Sequence, residues 1–368
     1  MPLAVRVWTP SMVAIARGVN ISKYCKSFGY FYYTCFFPHK VPHHVHIRDV
    51  DSNSLTLQEQ FTMSRTRPSA HDTQVSYGEV EQISPLVRRV LARNPGPFTF
   101  TGTGTYIIGT GRVAVLDPGP LNDDHLHALS QALEGETLSH IIVTHTHADH
   151  SPAAAPLQQQ TQAPTYGYGP HSTEKYGVPD IDDKMEAGCD RAFTPDVTVR
   201  DGDVIAGDGW TLDCIHTPGH TSNHICYALR EENTLFSGDH VMGWSTSVII
   251  PPDGRMGAYM DSLQRLTERS DKIYLPTHGP EITNPQAFVR AMIGHRKLRE
   301  TQIISCLDDG LSDIDAIVTR LYEKLDTRLR PAAALSVYAH LIYLIEQGRV
   351  QCTDSAKFDS TYRLTEEA

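Results

Sequence analysis

The sequence predicts an α/β protein in which two sheets pack together with helices outside, followed by a small helical domain. Three observations lead there. From about residue 80, short apolar runs are separated by Gly- and Pro-containing turns, as strands are. These runs dominate the first and last thirds of the span 76–284, with helical spacing between them, a pattern that stacked sheets satisfy. From about residue 285 the apolar positions recur at helical intervals instead.

Residues 1 to about 75 mix aromatics, histidines and polar residues with neither period, and Ser64-Arg65-Thr66-Arg67-Pro68 reads as a linker. Two readings of this extension stay open: a disordered or loosely docked segment, or an upstream translation ahead of a true initiator at Met63. Beyond it, Tyr106-Ile107-Ile108 and Val113 to Leu116 form a hairpin across Gly109-Thr110-Gly111, Asp123 to Leu133 a helix, and Ile141-Ile142-Val143 a buried strand. Further strands are expected at Leu212 to Ile215, His224 to Leu229, Thr234 to Phe236 and Ile273 to Leu275. In the tail, 285–368, Ser312 with Asp315 makes a capping-box-like start, and Ile314, Ile317, Val318 and Leu321 share a face. Pro331 opens a second helix, lined by Leu335, Tyr338, Ile342 and Ile345 and ended by Gly348. Two short strands, Arg349 to Cys352 and Thr361 to Leu364, complete the order of a winged helix.

The 368 residues suffice for one large core or two modest ones. A formal charge of −11 argues against binding nucleic acid through overall electrostatics. Seven cysteines, odd in number and without C-x-x-C spacing, point to a reducing compartment rather than a disulfide framework. No apolar run approaches the roughly 20 residues that span a bilayer, so no membrane partner and a cytoplasmic location are expected. The run Phe28 to Phe37 is too short and too late for a signal peptide.

The central chemical signal is Val143-Thr144-His145-Thr146-His147-Ala148-Asp149-His150, four potential ligands following an apolar strand. His145 and His147, two apart in an extended segment, can grip one cation, and Asp149 and His150 can face a second. Imidazole and carboxylate are the donors that a catalytic zinc uses. One H-x-H would be an ordinary solvated loop; H-x-H-x-D-H at a strand end is the motif in its expected context. Three further strand ends supply His220 (in Thr217-Pro218-Gly219-His220), Asp239 (in Phe236-Ser237-Gly238-Asp239) and His278 (in Leu275-Pro276-Thr277-His278-Gly279). The set then sorts without remainder: His145, His147 and His220 for one metal, Asp149, His150 and His278 for the other, Asp239 between.

With these motifs the chain resembles the metallo-β-lactamase superfamily over about residues 80–350. The resemblance implies an αβ/βα sandwich with the metals at one edge between the sheets, and a small C-terminal winged-helix-like domain. Pro218 to Tyr227 is similar to the glyoxalase II stretch. Asn94-Pro95-Gly96-Pro97-Phe98 through Gly109, Asp117-Pro118-Gly119 and the tail look like the lactamase-β-like subgroup, which includes endoribonucleases and polyketide thioesterases. Two departures stand out. Asp239 occupies the place where the commonest true β-lactamases carry cysteine, so strong lactamase activity is not expected. Gly104 stands where the subgroup usually has asparagine.

Two cations about 3.5–4 Å apart make hydroxide available at neutral pH from a bridging water. The sequence therefore predicts a dinuclear hydrolase with two divalent ions, zinc expected, and Asp149 as the residue that orients the nucleophile and passes its proton. Asp117 is expected to support a ligand histidine from behind or to cap a turn, and His224 to do the same or sit satisfied in the core. Tyr168, His171 and Ser245 to Ser247 are candidate pocket walls. A small ester, thioester or lactone is the first substrate class. The alternatives are cleavage of single-stranded RNA, with Arg296, Lys297 and Arg299 the clustered cations that could hold phosphates, or weak β-lactamase activity; a non-hydrolytic metal redox or binding module is a third. The tail's amphipathic faces need cover from the catalytic domain or from a second copy in a homodimer.

Overall fold

The apolar runs beyond residue 79 assemble into two sheets in the computed structural model, which describes residues 75–172, 188–323, 325–353 and 356–366. The readings of the N-terminal extension, its linker and Met63 fall outside the described residues. The strands are β1 (Val80–Ser84), β2 (Val87–Leu91), β3 (Gly104–Ile108), β4 (Arg112–Leu116), β5 (Thr137–Ile142), β6 (Thr165–Gly167), β7 (Val197–Thr198), β8 (Val204–Ala206), β9 (Thr211–His216), β10 (Ile225–Leu229), β11 (Thr234–Gly238), β12 (Ile273–Pro276), β13 (Val350–Cys352) and β14 (Tyr362–Leu364). The helices are α1 (Asp123–Ala132), α2 (Ala154–Thr161), α3 (Met256–Thr267), α4 (Pro285–Asp308), α5 (Ile314–Leu321) and α6 (Arg330–Glu346). One sheet runs in order β1 to β7 and the other β12-β11-β10-β9-β8, while β13 and β14 pair alone as the wing.

Side-chain alternation builds the layers, because successive strand residues face opposite sides. Tyr106, Ile108, Ala114 and Leu116 from the first sheet meet Leu212, Cys214, Tyr227, Leu229 and Phe236 from the second in the inner core. The intervening Ile107, Val113 and Val115 face outward onto Leu129 of α1 and Leu157 of α2. On the far side Cys226, Leu235 and Tyr274 face Tyr259 and Leu263 of α3 and Val289 and Met292 of α4. Helix, sheet, sheet, helix is the αβ/βα sandwich expected.

Helix α4 then leaves this core. Its later residues Ile303, Cys306 and Leu307 pack with Ile317 and Val318 of α5 and Val337, Leu341 and Leu344 of α6 in a separate cluster. Two expectations of the tail are corrected here. The α5 cap is Asp313, whose carboxylate accepts from Ala316 N at 2.8 Å. Ser312 lies one residue too early, and its carbonyl is taken by Tyr362 N of the wing at 2.8 Å. The buried side of α6 is Ala333, Ala334, Leu335, Val337, Ala339, His340, Leu341 and Leu344. Tyr338, Ile342 and Ile345 are only half-buried, because α6 is covered from more than one direction, with Ala339 reaching the catalytic core. No helix of the described residues is long and apolar enough to cross a membrane.

Candidate metal centre

Every expected ligand sits just past the C-terminal end of a strand, so both sheets deliver side chains to one edge of the sandwich. Backbone ties fix that edge. Ile225 N donates to Thr144 O at 2.9 Å, Tyr227 Oη to Val143 O at 2.9 Å, and Tyr106 Oη to Pro276 O at 2.7 Å. Gly104, where the subgroup has asparagine, donates its N–H to Thr277 O at 2.9 Å. A Cβ there would lie 3.1 Å from Arg89 Cδ, so the position serves backbone pairing.

The turns carrying His220 and Asp239 each need glycine. Gly219 has φ +138°, and a Cβ on it would fall 2.4 Å from Tyr259 Cα. Gly238 has φ +51°, and a Cβ would fall 2.5 Å from His224 Nε2. Both are left-handed positions where an L side chain is strained even with space available.

His147 Nδ1 lies 2.9 Å from His145 Nε2 and 3.0 Å from His220 Nε2. In the second cluster His278 Nε2 lies 3.0 Å from Asp149 Oδ2, and His150 Nε2 lies 3.6 Å from the same oxygen. Asp239 stands between: Oδ2 is 3.7 Å from His220 Nε2, and Oδ1 is 3.5 Å from both His150 and His278 Nε2. Donors about 2.0 Å from a tetrahedral cation sit about 3.3 Å apart, so these separations fit. His145, His150 and Asp239 also lie close enough to share an ion, which makes the two clusters neighbours rather than separate pockets.

The donors' surroundings suit a cation. The Nε2 atoms of His150 and His278 and Oδ1 of Asp239 are buried and have no hydrogen-bond partner, although charged atoms lie close. Such atoms are costly unless something else satisfies them. Burial, reinforced by neighbouring imidazoles, pushes the His145 pKa well below its ordinary value. His147 is lowered by burial and by His220, against the pull of Asp149. Both therefore present the neutral imidazole that binds metal. At the second cluster burial opposes charge on His150 and His278, but Asp149 and Asp239 outweigh it and raise both. Burial likewise opposes ionisation of Asp149 and Asp239, and the same histidines outweigh it to keep both carboxyls low. The two carboxylates thus favour positive charge where the second cation is expected.

The far side of the ligands is equally ordered. Asp117 Oδ2 accepts from His150 Nδ1 at 2.9 Å and from the hydroxyls of Thr144 and Thr277 at 2.8 Å, while Oδ1 takes Thr144 N at 2.8 Å. With its hydroxyl proton so used, Thr144 Oγ1 is the acceptor for His145 Nδ1–H at 3.1 Å. His220 Nδ1 donates to Val248 O at 2.6 Å, and His278 Nδ1 to Gly102 O at 3.0 Å. Each such bond fixes the tautomer that turns Nε2 to the centre. His224 is fully buried; its Nδ1 donates to Thr217 Oγ1 at 2.8 Å and its Nε2 accepts Asp239 N at 3.2 Å, so it is both satisfied and attached to Asp239.

The cavity beside His147, His220 and Asp239 measures about 160 Å³ and is walled by Phe98, Met242, Val248 and Ile250. These residues, with the Val248 and Gly102 carbonyls, escaped sequence reasoning. The repeated Thr-His pairs at 144–145 and 277–278 were a visible signal for the hydroxyls. Tyr168 stacks on His216 at 4.0 Å and does not line this cavity, His171 bonds Thr146 at 2.9 Å with its ring 6.2 Å from that of His147, and Ser247 is buried. Arg296, expected as a phosphate contact, is 3% exposed and cannot meet a nucleic acid. The remaining pair is reduced too, since Arg299 lies over the Tyr322 ring at 4.3 Å.

The model of the metallo-beta-lactamase superfamily matches residues 99–278, and that of the beta-lactamase associated winged helix domain matches residues 314–358. The lactamase-like protein adaB of Aspergillus niger is 33% identical over 238 residues, 62% of this chain and 66% of that protein, just under two thirds of its length. An atrochrysone carboxyl ACP thioesterase of Aspergillus terreus is 30% identical over 279 residues, 72% of this chain and 80% of the relative. Among solved structures, a beta-lactamase domain protein from Burkholderia ambifaria aligns at a TM-score of 0.65 with 19% identity, covering 80% of this chain and 96% of its own. That likeness speaks to the fold.

Proposed function

This chain belongs to the metallo-β-lactamase superfamily, and on that premise we propose that it is a dinuclear metal-dependent hydrolase, zinc the expected ion, that cleaves a small acyl thioester. The observation that carries the reading is Asp239, whose two oxygens face two neighbouring donor clusters. Ester and lactone carbonyls are chemically close alternatives; thioester comes first because the Aspergillus terreus relative is named for that chemistry.

When bound, the cations supply an acidified water and positive charge for the oxyanion. The chain's own residues do the rest. His145, His147 and His220 hold one ion and Asp149, His150 and His278 the other, with their rings locked from behind by Thr144, Val248, Asp117 and Gly102. Asp149, whose side chain is 27% exposed against 10% for Asp239, orients the attacking water and takes its proton. The C–O bond forms as the C–S bond breaks, and Asp149 returns the proton toward the departing thiolate. Phe98, Met242, Val248 and Ile250 exclude water around the acyl group.

The test is hydrolysis by the purified protein of an acyl thioester, a carboxylic ester, a lactone, a β-lactam and single-stranded RNA, before and after chelation and zinc restoration. Thioester turnover that is lost on chelation and restored by zinc is expected, with little on the β-lactam. RNA cleavage without thioester turnover would overturn the substrate reading.

A further inference from the structure

Beyond the metal centre, buried polar side chains gather where α3, α4 and α6 meet. Arg296, midway along α4, donates from Nη2 to the carbonyl of Ser247 and lies over the Tyr259 ring with its guanidinium carbon 5.1 Å from the centroid. Among the described residues no carboxylate pairs with it. A buried cation without a counter-ion is expensive, and an apolar side chain would fill the same volume at lower cost. The position therefore calls for a role beyond packing.

Both of its contacts lead to His220. Ser247 precedes Val248, whose carbonyl takes the His220 Nδ1 proton at 2.6 Å and so aims Nε2 at His147. Tyr259 lies against Gly219, where even one added carbon would fall 2.4 Å from Tyr259 Cα, and Arg255 N at the start of α3 donates to Gly219 O at 2.9 Å. The ring is thus held from behind by the Ser247–Val248 backbone, and its turn is held from below by Tyr259. A single guanidinium grips both supports.

We propose that Arg296 is a positioning residue for His220, so that the C-terminal part of the chain sets the cation affinity of the His145–His147–His220 cluster. The inference rests on reading that cluster as a cation site. The contact runs inward, to the hydrogen-bond acceptor of His220, rather than outward to a substrate strand.

The experiment is cobalt(II) titration of the metal-free full-length protein, followed by d–d absorption and by competition with a chelator. His147→Ala, which strips a donor from that cluster alone, identifies its binding step. Arg296→Met should weaken that step about 10-fold or more, the usual size of a lost contact behind a ligand, and alter its absorption envelope, while leaving the Asp149–His150–His278 step within twofold. Arg296→Lys, which keeps a cation but can serve only one of the two partners, should fall between Met and native; exposed Lys297→Ala should match native. Equal weakening of both steps, or a change below twofold in both, overturns the proposal. If Arg296→Met does not fold, Arg296→Lys is judged by the same criteria. A native chain lacking the His147-dependent step overturns the metal reading itself, and is told apart because it fails before any change at Arg296.

Discussion

The weight of Asp117 comes from its position. It has φ +49° at the end of β4, a left-handed conformation that aspartate tolerates better than most side chains. From there one carboxylate gathers four donors: His150 Nδ1, Thr144 N and the hydroxyls of Thr144 and Thr277. Asp117→Ala should weaken cation binding at the His150 cluster by about 10- to 100-fold, measured by chelator competition; binding within twofold of native would refute the role. The sequence showed Asp117 as a strand-end acid and could not separate a turn cap from a ligand support, because its partners lie 27 to 160 positions away. A pH effect belongs to this scale too. His125 is buried with Nδ1 unpartnered, and burial pulls its pKa down to about 4, only partly countered by the Pro118 carbonyl. The unfolded chain binds the proton more readily, so the stability from neutral His125 is present above about pH 6.5 and lost as pH falls toward 4. Between pH 7 and 5 the native protein should lose on the order of 2 kcal/mol more than His125→Gln in urea denaturation. Parallel losses in the two proteins would contradict this.

At the scale of elements, the strand ends were legible because chemistry and periodicity stop at the same residue. Val143 closes an apolar run as His145 begins the ligand set, and Gly238 marks the turn before Asp239. The tail's helix faces were harder. A single stripe presumes a single neighbour, whereas α6 touches the catalytic core through Ala339 and its own cluster through Val337, Leu341 and Leu344. The carbonyls behind His220 and His278 carry no side-chain signature, so Val248 and Gly102 were invisible as partners. The β9-to-His220 turn gives the clearest test. Gly219→Ala combines left-handed strain of about 1–2 kcal/mol with overlap onto α3 backbone that cannot yield cheaply. It should destabilise the fold by more than about 2 kcal/mol and reduce cation uptake at the His220 cluster. A variant with native melting temperature and full uptake would show that the turn has room.

For the whole molecule, α4 decides what can be separated. Its 24 residues extend about 36 Å, with Val289 and Met292 in the sandwich's outer core and Ile303 and Leu307 in the winged-helix cluster. A catalytic domain ending at residue 284, the boundary expected from sequence, would forfeit both early side chains and Ala339. At roughly 1.5–3 kcal/mol for a large buried side chain, that is much of the 5–15 kcal/mol a fold commands. The fragment 63–284 should therefore be insoluble or lack a cooperative melt, while 63–368 melts as the full chain does; a well-folded 63–284 would reverse this. The same helix also governs how heat enters the protein. Neither core can melt without releasing turns that the other still holds, so calorimetry of the metal-free chain should give one endotherm with equal calorimetric and van't Hoff enthalpies. The weakest link is Gly294, exposed between the two apolar ends, where an added Cβ meets nothing within 4 Å. Gly294→Ala should gain about 1 kcal/mol and move that single endotherm upward without splitting it, because it stiffens a rod through which the two cores share their fate.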